Sequence, residues 1–121
     1  MKKEIIILGS TGSIGSTVLK ILKKEKNYKI KLLTAKKNIS KLLKQSINFK
    51  VKNAIVEDKG KFKAYEKVFK KNRIKLHLGS KNINKIIKKK TYYCINAITG
   101  IDGLEPTLKS IPLTKNILIA N

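Results

Sequence analysis

Residues 5–15 read IIILGSTGSIG, an apolar run that leads into a glycine-rich turn. A continuous run such as residues 5–8 is typical of a strand buried on both faces of a parallel sheet. Beyond the turn, apolar residues recur with the spacing of one helix face: Ile14, Val18, Ile21 and Leu22. The stretch therefore predicts a strand, a tight turn and a helix, the first unit of an α/β domain.

The same alternation continues to the end of the chain. Further strands are predicted near residues 30–35, 54–56, 74–78, 92–95 and 117–120. Asn38 is a candidate cap for a second helix, whose expected buried residues are Ile39, Leu42, Leu43 and Ile47. Later helices are expected around residues 62–69, 83–87 and from 103–106 onward. The repeated β-α units predict a Rossmann-like α/β fold, a doubly wound and mainly parallel sheet with helices on both faces, forming one domain over residues 1–121.

Each glycine of the turn has a physical role in a dinucleotide site. Gly9 permits the tight turn, Gly12 lets the backbone approach a pyrophosphate, and Gly15 allows close packing of helix on strand. The free N–H groups at the helix N-terminus would face the diphosphate, and further hydroxyl donors along the turn come from Ser10, Thr11 and Ser13. The alternative is a βα turn that binds nothing. A P-loop is excluded because no Gly-Lys-Ser/Thr follows at the required spacing.

The end of the second strand bears on the choice of cofactor. NAD sites place an acid about 20 residues beyond the glycines, but no acid lies between Glu25 and Glu57. The chain has Lys36, Lys37 and Asn38 in that region, and ammonium groups attract a 2′-phosphate that a carboxylate would repel. The pattern favours NADP(H), although lysines in so basic a chain can also be solvated surface.

The excess of positive charge suggests nucleic-acid binding as a second class of function. The chain has 29 Lys and Arg against 7 Asp and Glu, a net charge of +22, which fits a nucleic-acid binder. However, Arg73 is the only arginine and the lysines are spread along the whole chain. A strongly A/T-biased genome would also enrich Lys, Asn and Ile, with no function attached to the composition. This interpretation is favoured over nucleic-acid binding.

Several classes of protein are excluded by simple counts. At 121 residues the chain has room for one hydrophobic core. Cys94 and His77 are the only residues of their types, which argues against disulfides, zinc sites and a thiol nucleophile. No apolar run approaches the roughly 20 residues of a membrane span, and the expected location is cytoplasmic.

With these residues laid out, the chain resembles the 1-deoxy-D-xylulose 5-phosphate reductoisomerase family. Residues 7–15 match the family's ILGSTGSIG, residues 35–38 lie where it has A-G-K-N, residues 97–107 resemble AIVGxxGLxPT, and residues 117–121 resemble ILLAN. The resemblance implies that NADPH contacts Thr11, Gly12, Ser13, Ile14, Lys37, Asn38 and Asn121. One departure is Lys36, which replaces the glycine of A-G-K-N and either strains the loop or adds a phosphate contact.

The resemblance also implies what the complete enzyme does. The family rearranges and reduces 1-deoxy-D-xylulose 5-phosphate to 2-C-methyl-D-erythritol 4-phosphate in non-mevalonate isoprenoid biosynthesis, with NADPH and a divalent metal, Mg or Mn, as a homodimer. The family's metal ligands and sugar-phosphate contacts lie beyond Asn121, so no catalytic or metal-binding residue is assigned here. Because the chain ends directly after a strand, we expect it to be the front part of a longer enzyme and inactive by itself.

Two other oxidoreductase classes share a glycine turn of this spacing. A semialdehyde dehydrogenase would need a catalytic cysteine in a later domain, and this alternative stays open. A short-chain reductase should carry Tyr-x-x-x-Lys, but Leu32 and Phe69 stand four residues after Tyr28 and Tyr65.

Overall fold

The computed structural model describes residues 2–120. Its six strands are β1 (Lys3–Leu8), β2 (Tyr28–Ala35), β3 (Asn53–Val56), β4 (Lys75–Leu78), β5 (Thr91–Asn96) and β6 (Thr114–Ile119). Its five α-helices are α1 (Ser13–Lys23), α2 (Ile39–Asn48), α3 (Lys59–Lys71), α4 (Ile83–Ile86) and α5 (Leu104–Ser110). Short 3-10 turns occupy Ser80–Asn82, Gly100–Gly103 and Ile111–Leu113. None of the helices in this part of the chain is long and apolar enough to cross a membrane.

The strands form one sheet in the order β4-β3-β2-β1-β5-β6. All five strand pairs are parallel, with Ile7 opposite Leu33 on one side of β1 and opposite Ile95 on the other. The chain first builds outward from β1 to β4 and then returns to add β5 and β6 on the far side of β1. The predicted doubly wound parallel fold is confirmed, and the carboxyl ends of β1 and β5 form its topological switch point.

The apolar run of β1 contributes to two cores because its side chains alternate between the faces of the sheet. Ile5 and Ile7 pack into the larger core, which also contains Leu19 of α1, Leu42 of α2 and Phe69 of α3. Ile6 and Leu8 face the opposite side, where the smaller core includes Ile83, Ile87 and Cys94. Helices therefore cover both faces, and the unbroken apolar run follows from burial on both sides.

Two apolar residues assigned to buried helix faces are exposed. Ile21 of α1 is 60% exposed and Leu19 is buried instead. The reason is the close approach of Gly15 to the glycine turn, which orients α1 so that Gly15 and Leu19 face the sheet. Ile47 of α2 is also exposed, while the polar Gln45 and Ser46 are buried.

The last strand is longer than predicted, and most of its residues are exposed. β6 begins at Thr114, three residues before the expected start, and pairs only with β5 among the described strands. Leu118 and Ile119 of β6 and Leu104 and Leu108 of α5 are exposed. This side of the sheet therefore has an apolar surface that residues 2–120 do not cover.

Candidate functional site

A cleft of about 620 Å³ lies at the carboxyl ends of the central strands. We call it the switch-point cleft. The lining comes from five strand ends, from the turns that follow them and from the start of α5: Gly9, Thr11, Gly12, Thr34, Ala35, Lys36, Glu57, Gly79, Ser80, Lys81, Ala97, Ile98, Thr99, Asp102, Glu105 and Pro106. Ligands of open α/β sheets bind in this position, outside the strand ends where the strand order reverses.

Two of the three glycines in the turn are required by the protein itself. Gly9 has a φ of +76°, and a Cβ there would lie 2.7 Å from Cγ1 of Ile98. At Gly15 a Cβ would lie 2.3 Å from the carbonyl oxygen of Gly9, because α1 starts directly against the turn. Any larger side chain at these positions would force the backbone to move.

Gly12 is different, because nothing in the protein requires a glycine there. Its φ is −73°, and the nearest atom to a Cβ would be the carbonyl oxygen of Gly9 at an ordinary 3.8 Å. The position lines the switch-point cleft. A Cβ would occupy space that is open to a ligand, which is the condition for close approach of a pyrophosphate to the backbone.

A buried hydrogen-bond network fixes the turn to the neighbouring strand and helix. Ser10 is fully buried, and its hydroxyl donates to Oε1 of Gln45 at 2.8 Å. The Gln45 amide donates back to the Ser10 carbonyl at 2.9 Å. Thr34 of β2 accepts from the backbone N–H groups of Ser10 and Gly9, both at 2.9 Å. The Ser10 hydroxyl thus supports the turn from inside and does not face the cleft.

The N-terminus of α1 lacks the side-chain cap that two other helices have. Asn38 accepts a hydrogen bond from the N–H of Lys41 in α2, and Asp58 accepts one from Lys61 in α3. The cap of α1 is Gly12, and the first turn, which includes Ser13 and Ile14, contains no acid. The first N–H groups of a helix have no acceptor within the helix, so this end suits an external anion.

The basic segment Lys36-Lys37-Asn38 follows β2 and is exposed. Lys36 lines the switch-point cleft, and its Nζ lies 3.0 Å from Oδ2 of Asp102. Among the described residues other than glycine, only Lys50 and Arg73 have positive φ, so the backbone of Lys36 is not in the left-handed region that would require a glycine. Asn121, the remaining candidate contact, lies outside the described residues.

Sequence reasoning missed the far wall of the cleft. At the end of β3, Glu57 accepts hydrogen bonds from both the backbone N–H and the hydroxyl of Ser80. Ile98, which lines the cleft, is held from behind by Asn96 at the end of β5, whose side chain accepts from the N–H of Ile98 at 3.0 Å and donates to Thr107 at 2.5 Å. Because parallel strands end at the same edge of a sheet, the residues after β3, β4 and β5 could have been added to the candidate site once the strand order was assumed.

Burial shifts the pKa of two titratable residues in the described part of the chain, Cys94 and His77. Burial raises the pKa of the Cys94 thiol to about 11, against a smaller opposing effect of the Ser110 hydroxyl. Burial also lowers the pKa of His77, which hydrogen-bonds Asn53 at 3.0 Å. Within residues 2–120, no group of three or more His, Cys, Asp or Glu side chains could hold a metal ion.

The sequence matches a known family over almost all of its length. The profile described as 1-deoxy-D-xylulose 5-phosphate reductoisomerase matches residues 5–121. The chain belongs to this family. Membership favours a reductoisomerase domain over a semialdehyde dehydrogenase or a basic nucleic-acid binder.

The sequences of individual reductoisomerases support the same family. The chain is 49% identical to the 1-deoxy-D-xylulose 5-phosphate reductoisomerase of Pelagibacter ubique over 122 residues, and 39% identical to that of a Thermoanaerobacter species over 120 residues. Both alignments cover 98% of this chain and 31% of the relative. The chain therefore spans about a third of the length of these reductoisomerases.

Solved reductoisomerase structures share the fold. A reductoisomerase from Zymomonas mobilis in complex with NADPH matches all of this chain and 32% of its own length with a TM-score of 0.89, and at 24% identity it supports the fold alone. A second, in complex with NADPH, fosmidomycin and magnesium, has a TM-score of 0.84 and 29% identity over 98% of this chain and 30% of its own.

Proposed function

We propose that residues 1–121 form the NADPH-binding domain of a 1-deoxy-D-xylulose 5-phosphate reductoisomerase. The observation that carries the proposal is Gly12, a glycine that lines the switch-point cleft and that the fold itself does not need. Family membership and the NADPH complex of the 29% identical structure support it. The switch-point position of the cleft supports a dinucleotide as the ligand.

In this proposal the glycine turn binds the pyrophosphate. Backbone N–H groups at the start of α1, around Ser13 and Ile14, donate to phosphate oxygens, and Gly12 lets them approach closely. Thr11 lines the cleft and contributes its hydroxyl. Ser10, Gly9 and Gly15 act indirectly, since they hold the turn in shape.

The basic segment binds the 2′-phosphate and so selects NADPH over NADH. Lys36 and Lys37 provide positive charge at the end of β2, where NAD-specific sites place an acid. Asn38 lies beside them and caps α2. Asn121 completes the proposed set of contacts, by resemblance to the family's ILLAN segment.

The remaining properties of the complete enzyme are proposed from family membership. NADPH supplies a hydride to the rearranged sugar phosphate when it is bound, and the residues of this chain hold and orient it. The described residues offer no ligand set for the divalent metal, so no step through a metal is assigned to them. The sugar-phosphate substrate, the homodimer and the cytoplasmic location stay predictions.

A parallel titration with NADPH and NADH tests the proposal. Nicotinamide fluorescence is followed at low and at moderate salt, with the chain at constant concentration. We expect saturable NADPH binding that survives moderate salt, and much weaker NADH binding. If NADPH and NADH instead bind equally weakly, and moderate salt abolishes the binding of both, the chain is a polycation without a cofactor site, because salt screens nonspecific charge attraction.

A further inference from the structure

An ion pair connects the two walls of the switch-point cleft. Nζ of Lys36, just after β2, lies 3.0 Å from Oδ2 of Asp102, in the 3-10 turn after β5. The two residues are 66 positions apart in sequence. Among residues 2–120 the other ion pair is Lys31–Glu4, which joins the adjacent strands β2 and β1.

The strand order places this contact above the glycine turn. Since β1 lies between β2 and β5, a contact from the end of β2 to the turn after β5 passes across the carboxyl end of β1. Both side chains line the same cleft as Gly9 and Gly12. A dinucleotide that enters the cleft therefore meets a lysine whose charge is already paired with a carboxylate.

Lys36 departs from the family segment, and Asp102 stands at a position that the family segment leaves open. Lys36 stands where the family's A-G-K-N segment has glycine, which has no side chain to form such a contact. Asp102 occupies one of the unspecified positions of AIVGxxGLxPT. The lysine does not have a positive φ, and 68% of its side chain and 60% of that of Asp102 are exposed. Pairs this exposed are weak, so a doubly charged phosphate can replace the carboxylate.

We propose that Asp102 competes with the 2′-phosphate of NADPH for Lys36, so that cofactor binding exchanges one anion for another on this lysine. The inference rests on the proposed NADPH-binding function and deepens it. Lys36 adds a 2′-phosphate contact that the family's glycine lacks, and Asp102 reduces its effect. Asp102 is then a specificity-determining residue, since it weakens binding only of the cofactor that bears the 2′-phosphate.

A double-mutant cycle with NADPH and NADH tests the competition. The unsubstituted chain, Lys36→Gln, Asp102→Asn and the double variant are titrated with both cofactors at one salt concentration, and circular dichroism checks that each is folded. We expect Asp102→Asn to tighten NADPH binding by about two- to fivefold relative to NADH. Lys36→Gln weakens NADPH binding relative to NADH, and in its background Asp102→Asn no longer changes the ratio.

Glu25→Gln is the matched control, because Glu25 is exposed beyond the end of α1, is not among the residues that line the cleft, and its replacement changes the net charge by the same amount. It should leave the ratio of NADPH to NADH affinity within error of the unsubstituted value. Equal effects of the Asp102 and Glu25 substitutions, or an Asp102 effect that persists without Lys36, would overturn the competition while the proposed function stands. If the unsubstituted chain binds neither cofactor, both the competition and the proposed function are overturned.

Discussion

The glycine turn and the basic segment flank the same cleft but are held in different ways. Hydrogen bonds to Gln45 and Thr34 fix the turn, and α1 packs so closely on it that even a methyl group at Gly15 has no space. The basic segment is exposed, and its side chains are held by one helix cap and by the pair of Lys36 with Asp102. The glycine turn is therefore a region of fixed backbone shape, whereas the basic segment offers mainly positive charge.

This difference separates two properties of a cofactor site. A rigid backbone turn can position a pyrophosphate, which every nicotinamide dinucleotide has. Flexible lysines can distinguish a 2′-phosphate from a hydroxyl, since they respond to charge and need little fixed geometry. Substitutions in the turn should therefore change stability or the affinity for both cofactors, whereas substitutions in the basic segment should change their ratio.

Gly15→Ala should have the largest effect on stability. The added Cβ would overlap the carbonyl of Gly9, so strand and helix must separate, and we expect a loss of about 3 kcal/mol in the free energy of unfolding. Denaturation by urea, followed by circular dichroism, measures it. Gly60→Ala in α3 is the control, because a Cβ there meets only the Asp58 side chain, at 3.3 Å. Similar stabilities for the two variants would refute the tight packing of the turn.

Gln45→Leu should destabilise the protein by a smaller amount and also weaken binding. It removes two buried hydrogen bonds and leaves the Ser10 carbonyl without its amide donor, at a cost of about 2 kcal/mol. Because the turn loses support, NADPH and NADH affinities should fall by the same factor. Lys44→Leu, at an exposed position of the same helix, provides the comparison. A change in the cofactor ratio with Gln45→Leu would argue against separate roles for the two regions.

Lys37→Gln should leave stability unchanged and alter only the choice of cofactor. The side chain is exposed, so its loss costs no packing. The loss of one charge-assisted hydrogen bond should weaken NADPH binding about tenfold with little effect on NADH. Lys63→Gln, on the exposed surface of α3, controls for net charge. Equal losses for the two variants would mean that the basic segment acts only through the overall charge of the chain.

Cys94 should react only slowly in the folded protein. Its pKa of about 11 leaves roughly one thiol in ten thousand ionised at pH 7, and the side chain is buried. A disulfide reagent should react slowly until the chain is unfolded with guanidinium. Because burial raises the thiol pKa from 9.0, the stability that the protonated thiol contributes should be lost as the pH rises through 11. Fast labelling at neutral pH would contradict this burial.

The sequence predicted much of the fold because its signals are local. An apolar run and three glycines identify the first strand, turn and helix, and the roles of Gly9 and Gly15 follow from sterics alone. The order of the strands was predicted only as far as the doubly wound class. The rotation of α1, and with it the exposure of Ile21, depends on a contact between backbone atoms that helical periodicity does not describe.

The parts of the candidate site that lie within one segment could be predicted from the sequence. The parts that are formed where distant segments meet could not. The hydroxyl of Ser10 was expected to face a ligand, but its pairing with Gln45 depends on how α2 packs against the turn. The contact between Lys36 and Asp102 joins residues that follow β2 and β5, the strands on either side of β1. Side chains from distant segments come together only because of the strand order. The hydrophobic pattern and the spacing of motifs do not predict that order.

The most direct test of the account is the effect of Gly12→Ala on binding and on stability, measured on the same preparation. The fold leaves room for this methyl group and the φ of −73° suits alanine, so the free energy of unfolding should change by less than about 1 kcal/mol. The methyl group would stand where a pyrophosphate must approach, so NADPH and NADH binding should weaken by about tenfold or more. Unchanged stability with full NADPH affinity would contradict the proposal that this turn holds the cofactor.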